Sequence, residues 1–224
     1  PPAAAAALPV EKSSLIVKGL VQEYYQSSEA LEYLQKRGIE KREASSMKMK
    51  YTPEAYCNGV FLSKRLLIPI YNELGKLINI EGRRIIDSQK AKVLYPREIV
   101  KTIYEHYLLN KQEPLYIVEG LMDLAVLRSD DFFKNSSCIF GVEVTEYQIS
   151  LLNQFKEVIL IPDNDDAGVF SIEDLRKRLK TKFSVLKIAP HFIKDVGDIP
   201  VKFRSSVKEF REAGNFTSSL TLTK

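Results

Sequence analysis

From residue 114 onward the chain alternates short apolar runs with amphipathic stretches. LYIV (115–118), CIFG (138–141), VILI (158–161) and SVLKIA (184–189) are apolar and rich in β-branched residues, which predicts strands. Between them LMDLAVLR (121–128), TEYQISLLNQF (145–155) and residues 167–180 carry apolar positions at helical spacing. In the last of these Val169, Ile172, Leu175 and Leu179 share a face. Strands alternating with helices at this interval imply right-handed βαβ units and a parallel sheet. The first half reads differently. Leu20, Tyr24, Leu31 and Leu34 predict a helix within 14–37 that Gly38 stops, and the basic, polar KREASSMKMK (41–50) reads as a connecting segment. RLLIPIY (65–71) and KLINIEG (76–82) flank Asn72-Glu73-Leu74-Gly75, which predicts a hairpin with Gly75 at positive φ. A further helix is expected over 97–110. The expected fold class is α/β, a parallel sheet flanked by helices, preceded by a mixed α+β segment.

Composition narrows this picture. The 224 residues are 45% hydrophobic and 28% charged, ordinary for a globular chain with a real core. No apolar stretch approaches the roughly 20 residues of a membrane span, so no membrane partner is expected. Two cysteines and two histidines, with no CxxC pair, argue against a zinc finger or a disulfide framework within the chain, which suits a reducing compartment. The net charge of +4 is uneven: residues 1–110 hold 17 Lys and Arg against 12 Asp and Glu, whereas 111–224 hold 16 against 17. A basic half joined to an acid-bearing half suits a polyanion held beside a cation site. PPAAAAALPV at the start has the composition of an interdomain linker and lacks the basic residues of a secretory signal, so a further segment is expected upstream.

VILIPDNDDAG (158–168) ends a core strand in three acids, Asp163, Asp165 and Asp166. Turn formation and capping of the next helix account for such residues without any chemistry. A metal site is the second reading, and it requires partners. Ligands of open parallel sheets bind beyond the carboxyl ends of the strands. At that position Glu119 follows LYIV, and Asp123 lies four residues on, near the first turn of a helix that begins after Gly120. Alone, this pair too reads as a charged helix start. Four converging carboxylates repel, at about 4 kcal/mol for two unit charges 4 Å apart at an effective dielectric near 20. A divalent cation relieves that repulsion, and an all-oxygen ligand set selects a hard ion, Mg²⁺ or Mn²⁺, of the kind shared with substrate phosphates.

Glu119-Gly120 and Asp163-Asn164-Asp165, with Gly141 between them, resemble the Glu-Gly and Asp-x-Asp pattern of Toprim domains, shared by primases, topoisomerases and some nucleases. RLLIPIYNELGKLINIEGRR (65–84) resembles the segment before Toprim in DnaG-type primases, with Arg65 ahead of an apolar-Pro-Ile strand and a Gly-Arg pair at Gly82-Arg83. KVLYPRE (92–98), LEYLQKRGI (31–39) and KDVGDI (194–199) resemble further segments of that family. Ile80-Glu81-Gly82 departs from the pattern, being less glycine-rich than in cellular primases. The short ending is more like the compact primases of tailed phages. On this resemblance the chain divides into a linker-like segment (1–13), a basic subdomain (14–111), a Toprim domain (112–200) and a short C-terminal helix and tail (201–224).

The resemblance implies a DNA primase RNA-polymerase domain that joins ribonucleoside triphosphates on a single-stranded DNA template. It also implies an upstream zinc-binding domain and a replicative helicase as partners. Glu119, Asp163 and Asp165 are then the catalytic acids and metal ligands, with Asp123, Asp195 and Asp198 as further metal-binding acids. Arg65, Arg83, Lys92 and Lys101 are the nucleic-acid and nucleotide contacts. Lys36, Arg37, Lys41 and Arg42 add to the positive field or simply solvate a loop, and Tyr71 and Tyr95 either stack bases or pack. Another Toprim enzyme, a nuclease or topoisomerase, is one competing reading. A catalytically weak nucleic-acid-binding module that needs a separate zinc domain is the other.

Overall fold

The alternation along the last strands decides where the core sits. In LYIV, Leu115 and Ile117 face one cluster while Tyr116 and Val118 face another; along VILI, Val158 and Leu160 separate from Ile159 and Ile161 in the same way. A sheet buried on both faces needs apolar residues at every position, which is why these strands read as unbroken apolar runs. The computed structural model describes residues 15–96, 98, 101–186, 188–189, 195–198 and 220–221. The linker-like residues 1–13 and all but two residues of the expected C-terminal helix and tail lie outside the described residues.

Two main sheets make up most of the described chain, and a third is only a parallel pair of two-residue strands, Ile188–Ala189 with Leu220–Thr221. The first is antiparallel, in the order β1 (Val17–Glu23), β2 (Lys50–Cys57), β3 (Val60–Tyr71), β4 (Leu77–Arg84) and β5 (Val93–Leu94). Helices α1 (Ser28–Lys36) and α2 (Lys41–Ser46) fill the connection from β1 to β2. The second sheet is parallel, in the order β7 (Ser136–Cys138), β6 (Leu115–Val118), β8 (Glu157–Leu160) and β9 (Lys182–Val185). Helices α3 (Leu121–Arg128), α4 (Glu146–Leu152) and α5 (Asp166–Arg178) connect its strands. Thr145 caps α4 through a capping box with Gln148. The expected βαβ array and the hairpin around Gly75 are both present; Gly75 has φ +76°.

Three expectations for the first half are corrected. The expected helix over 14–37 begins only at Ser28, after an extended edge strand whose Val17, Leu20 and Val21 are exposed. Segment 41–50 is not a plain connection; it contains α2 and the start of β2. The expected helix over 97–110 is, among the described residues, only a 3₁₀ turn at His106–Leu108, because Glu105 at φ +51° breaks the helical path. The reward for that backbone position is a buried ion pair: Arg128 on α3 donates from Nη1 to Glu105 Oε2 (2.7 Å) and from Nη2 to the Ser136 carbonyl (2.7 Å).

One core cluster joins the two sheets. It runs from Tyr24, Leu34, Met47, Ile68 and Ile70 in the first half to Val118, Met122, Leu124 and Ile159 in the second. A second cluster lies on the far face of the parallel sheet, under α4 and α5, around Ile117, Ile149, Leu160 and Leu175. Among the described residues no helix is long and apolar enough to cross a membrane.

Candidate metal and nucleotide cleft

β6 and β8 are neighbours, so their carboxyl ends lie side by side. The Ile161 N–H donates to the Ile117 carbonyl at 2.8 Å, and two residues further on the Asp163 N–H reaches Glu119 Oε1 at 3.4 Å. The Glu119 carbonyl in turn accepts the N–H of Gly141 at 3.0 Å, which ties in the turn after β7. Gly120 N-caps α3, and one turn along that helix Asp123 accepts the Gly197 N–H on Oδ1 at 3.1 Å. Glu119, Asp123, Asp163 and Asp195 thus line one cleft of about 370 Å³.

A second part of the lining comes mostly from the first half. Arg83 at the end of β4, Lys92 just before β5 and Arg37 at the end of α1 all line the same space, together with Glu81, Tyr95 and Phe140. Arg37 lies over the Tyr33 ring, 5.4 Å from its centroid, and Arg83 Nε donates to the Tyr33 hydroxyl at 3.2 Å. Tyr95 does not stand free to stack a base. Its hydroxyl donates to Glu81 Oε2 at 2.8 Å, and burial followed by the Glu81 charge pushes its pKa up.

The electrostatics of the acidic side are self-repelling. Burial raises the Asp123 pKa to about 7, with Asp195 and then Asp163 adding to the rise; the Gly197 N–H and the Arg83 charge oppose it. Among the described residues no group of three or more His, Cys, Asp and Glu side chains is drawn together closely enough to hold a metal ion by itself. The donors are nonetheless hard oxygens in a shared cleft, and their mutual repulsion is the kind a divalent ion relieves. A partial set of carboxylates completed by water and phosphate suits Mg²⁺-type binding better than a closed cage does.

The other sequence-selected residues fall elsewhere. Asp165 is half-buried beside the cleft but does not line it, and Asp198 ends a 3₁₀ turn, Val196–Asp198, where only the backbone is described. Arg65 faces inward rather than toward a ligand. It is 4% exposed, and it donates from Nη1 to the Gly82 carbonyl (2.8 Å) and from Nη2 to the Ala91 carbonyl (2.9 Å), bracing β4 against the strand that follows. Lys101 donates to the Glu143 carbonyl (2.7 Å) and is not part of the cleft lining. Tyr71 sits under Lys48, with Nζ 4.5 Å from the ring centroid, and packs edge-on against Tyr107.

Two residues in or beside the cleft escape a reading from sequence. Glu81 is one. Gly197 is the other: a Cβ there would lie 2.7 Å from Asp123 Oδ1, 3.0 Å from Arg37 Nη1 and 3.0 Å from Asp195 Oδ1, so a larger residue would push these three side-chain ends aside. The segment KDVGDI marks the place, but nothing in its order distinguishes the glycine from its acids.

Comparison with known proteins agrees with this geometry. Residues 116–199 match the Toprim-like family. The DNA primase of Aquifex aeolicus is 30% identical over 195 residues, which cover 70% of this chain and 38% of that protein. The DNA primase of Lactococcus lactis is 31% identical over 125 residues, covering 50% of this chain and 20% of that protein. Over most of its length this chain is similar to DNA primases. The fold agrees with that similarity. The crystal structure of the Aquifex aeolicus primase zinc-binding and RNA polymerase domains superposes with a TM-score of 0.71 at 21% identity, covering 85% of this chain and 57% of that one. A DnaG primase catalytic domain bound to single-stranded DNA superposes at 0.67 with 18% identity, covering 86% and 74%. The chain spans less than half the length of the curated DnaG-type relatives it matches.

Proposed function

We propose that this chain is the RNA-polymerase domain of a DNA primase, which builds short RNA primers on single-stranded DNA by cation-dependent nucleotidyl transfer. The observation that supports this most strongly is the shared lining of one cleft, where four carboxylates from the Toprim-like half meet Arg37, Arg83 and Lys92. In the reaction the 3′-hydroxyl oxygen of the primer attacks the α-phosphorus of a ribonucleoside triphosphate. A P–O bond forms there, the bond to the pyrophosphate breaks, and the hydroxyl proton is lost. Such chemistry is largely a matter of positioning and charge neutralisation.

Glu119 and Asp163 are the residues proposed to hold the cation, with Asp123, Asp165, Asp195 and Asp198 in support. A bound divalent ion would supply charge neutralisation at the phosphates and would favour loss of the hydroxyl proton. Arg37, Arg83 and Lys92 orient the triphosphate or the template backbone; such contacts position a strand without reading its sequence. Mg²⁺ or Mn²⁺, single-stranded DNA and ribonucleoside triphosphates are the proposed ligands. An upstream zinc-binding domain would select start sites and a replicative helicase would deliver the template. Without that zinc domain the chain is expected to extend a primer rather than start at a defined motif.

The test is template-directed incorporation of ribonucleotides on single-stranded DNA. Asp163→Asn and Glu119→Gln should each lower the rate by about 10²–10³-fold, in the range seen when one charge-stabilising group is removed from an active site, with the circular dichroism spectrum unchanged. Near wild-type synthesis by both variants at saturating Mg²⁺ would overturn the assignment. Cleavage of DNA without synthesis would favour a nuclease.

A further inference from the structure

Glu81 is a carboxylate on the wrong wall. It stands on β4 among the cationic side chains that face the acids, where a group meant only to attract phosphate would be neutral or positive. Its burial is nearly complete, and burying a charge without full compensation is costly. Its two oxygens have different surroundings. Oε2 accepts the Tyr95 hydroxyl at 2.8 Å, while Oε1 is closed off from water and has no hydrogen-bond partner among the described residues. Arg83 Nη1 lies 3.9 Å from Oε1, with both side chains largely shielded. Burial raises the Glu81 pKa, and the charge of Arg83, the Tyr95 hydrogen bond and the charge of Lys92 oppose the rise.

Arg83 is two residues along the same strand, so both side chains leave the same face. Its Nε is anchored on Tyr33, and its charge also acts across the cleft, where it lowers the Asp123 pKa against the stronger effect of burial. The guanidinium therefore stands between one carboxylate on its own strand and several opposite. Arginine pairs with carboxylate through two parallel bonds, which would use up both oxygens of an acid. An arginine free to cross the cleft would neutralise the acids in place of a cation and would leave the phosphate wall.

Resting on the cation-dependent reading above, we infer that Glu81 is a positioning residue that keeps Arg83 on the phosphate-facing wall and off the metal-binding carboxylates. Tyr95 and Tyr33 fix the two ends of the device: one aims the carboxylate, the other the guanidinium.

The inference is tested by binding of Mn²⁺ alone to the full chain, measured by calorimetry or electron paramagnetic resonance, in a double-mutant cycle. Glu81→Gln keeps the shape and an acceptor for Tyr95 but removes the charge, and should weaken Mn²⁺ binding by about tenfold, within the range of coupling found between touching charged groups. Arg83→Gln should bind Mn²⁺ at least as tightly as wild type. The double variant should match Arg83→Gln, because without the arginine there is nothing to hold back. Tyr95→Phe should give a smaller loss in the same direction, also abolished by Arg83→Gln, and it serves if Glu81→Gln does not fold. Unchanged Mn²⁺ affinity in Glu81→Gln overturns the inference and leaves the metal reading standing. So does a loss that persists in the Arg83→Gln background, since that is a plain field effect. Failure of the wild-type chain to bind Mn²⁺ overturns the metal reading, and this inference with it.

Discussion

Asp123 shows what one side chain in the cleft stores. Its carboxyl is held to the Gly197 N–H but is pressed by burial and by Asp195 and Asp163, so its pKa rises from 3.8 to about 7. The folded, metal-free chain therefore keeps a proton that the unfolded chain gives up near pH 4. Stability from this group is fully present below that value and is lost as pH climbs toward 7. Asp123→Asn should remove the slope and stabilise the metal-free protein at pH 8 by up to about 4 kcal/mol, at 1.36 kcal/mol per pKa unit. Urea unfolding in chelator at pH 5 and pH 8 measures it; a wild-type chain equally stable at both would contradict the burial argument. The pairing of Asp123 with Glu119 was legible, because four residues separate them across a strand-to-helix turn. The inward turn of Arg65 was not. A basic residue before an apolar strand reads the same whether its guanidinium meets phosphate or a carbonyl.

At the scale of the element, the parallel half was readable because βαβ units write their period twice, once as apolar runs and once as helical faces. β1 was not, since Leu20 and Tyr24 fall at a spacing that also fits a helix, and an edge strand with exposed Val17, Leu20 and Val21 shows no inside–outside alternation. The turn between β2 and β3 did carry a signal: Asn58-Gly59, both at positive φ, closes a two-residue hairpin of the favoured kind, but it went unused because no strand was expected before it. Gly19 in β1 is a second such point. It has φ +123°, and a Cβ there would lie 2.7 Å from the Glu54 carbonyl oxygen. Gly19→Ala should cost about 2–4 kcal/mol from backbone strain and overpacking together, seen as a lowered melting temperature. An unchanged melting temperature would mean that β1 adds little to the first sheet.

Across the whole molecule, the charge asymmetry of the sequence becomes acids and cations lining one cleft. Charge reversal at Lys92 or Arg37 should weaken single-stranded DNA or nucleotide binding and flatten its dependence on salt by about 0.7 in logarithmic slope per lost phosphate contact; an unchanged slope for both would make the wall idle. What sequence does not disclose is that the two halves share a core. Patterning separates elements that face inward from those that face out, but it does not say which inward faces meet. The joint cluster from Met47 and Ile70 to Met122 and Ile159 makes the walls parts of one packed body, locked further by Arg128 and Glu105. Unfolding followed by probes in each half should therefore give one coincident transition, and two separated transitions would show a joint between them. A cleft whose sides belong to one solid has a set width. On the function proposed above it would gauge its contents rather than clasp them: the tolerance between cation, triphosphate and primer end would be fixed when the chain folds, and each step of growth would come from the strand sliding through the opening.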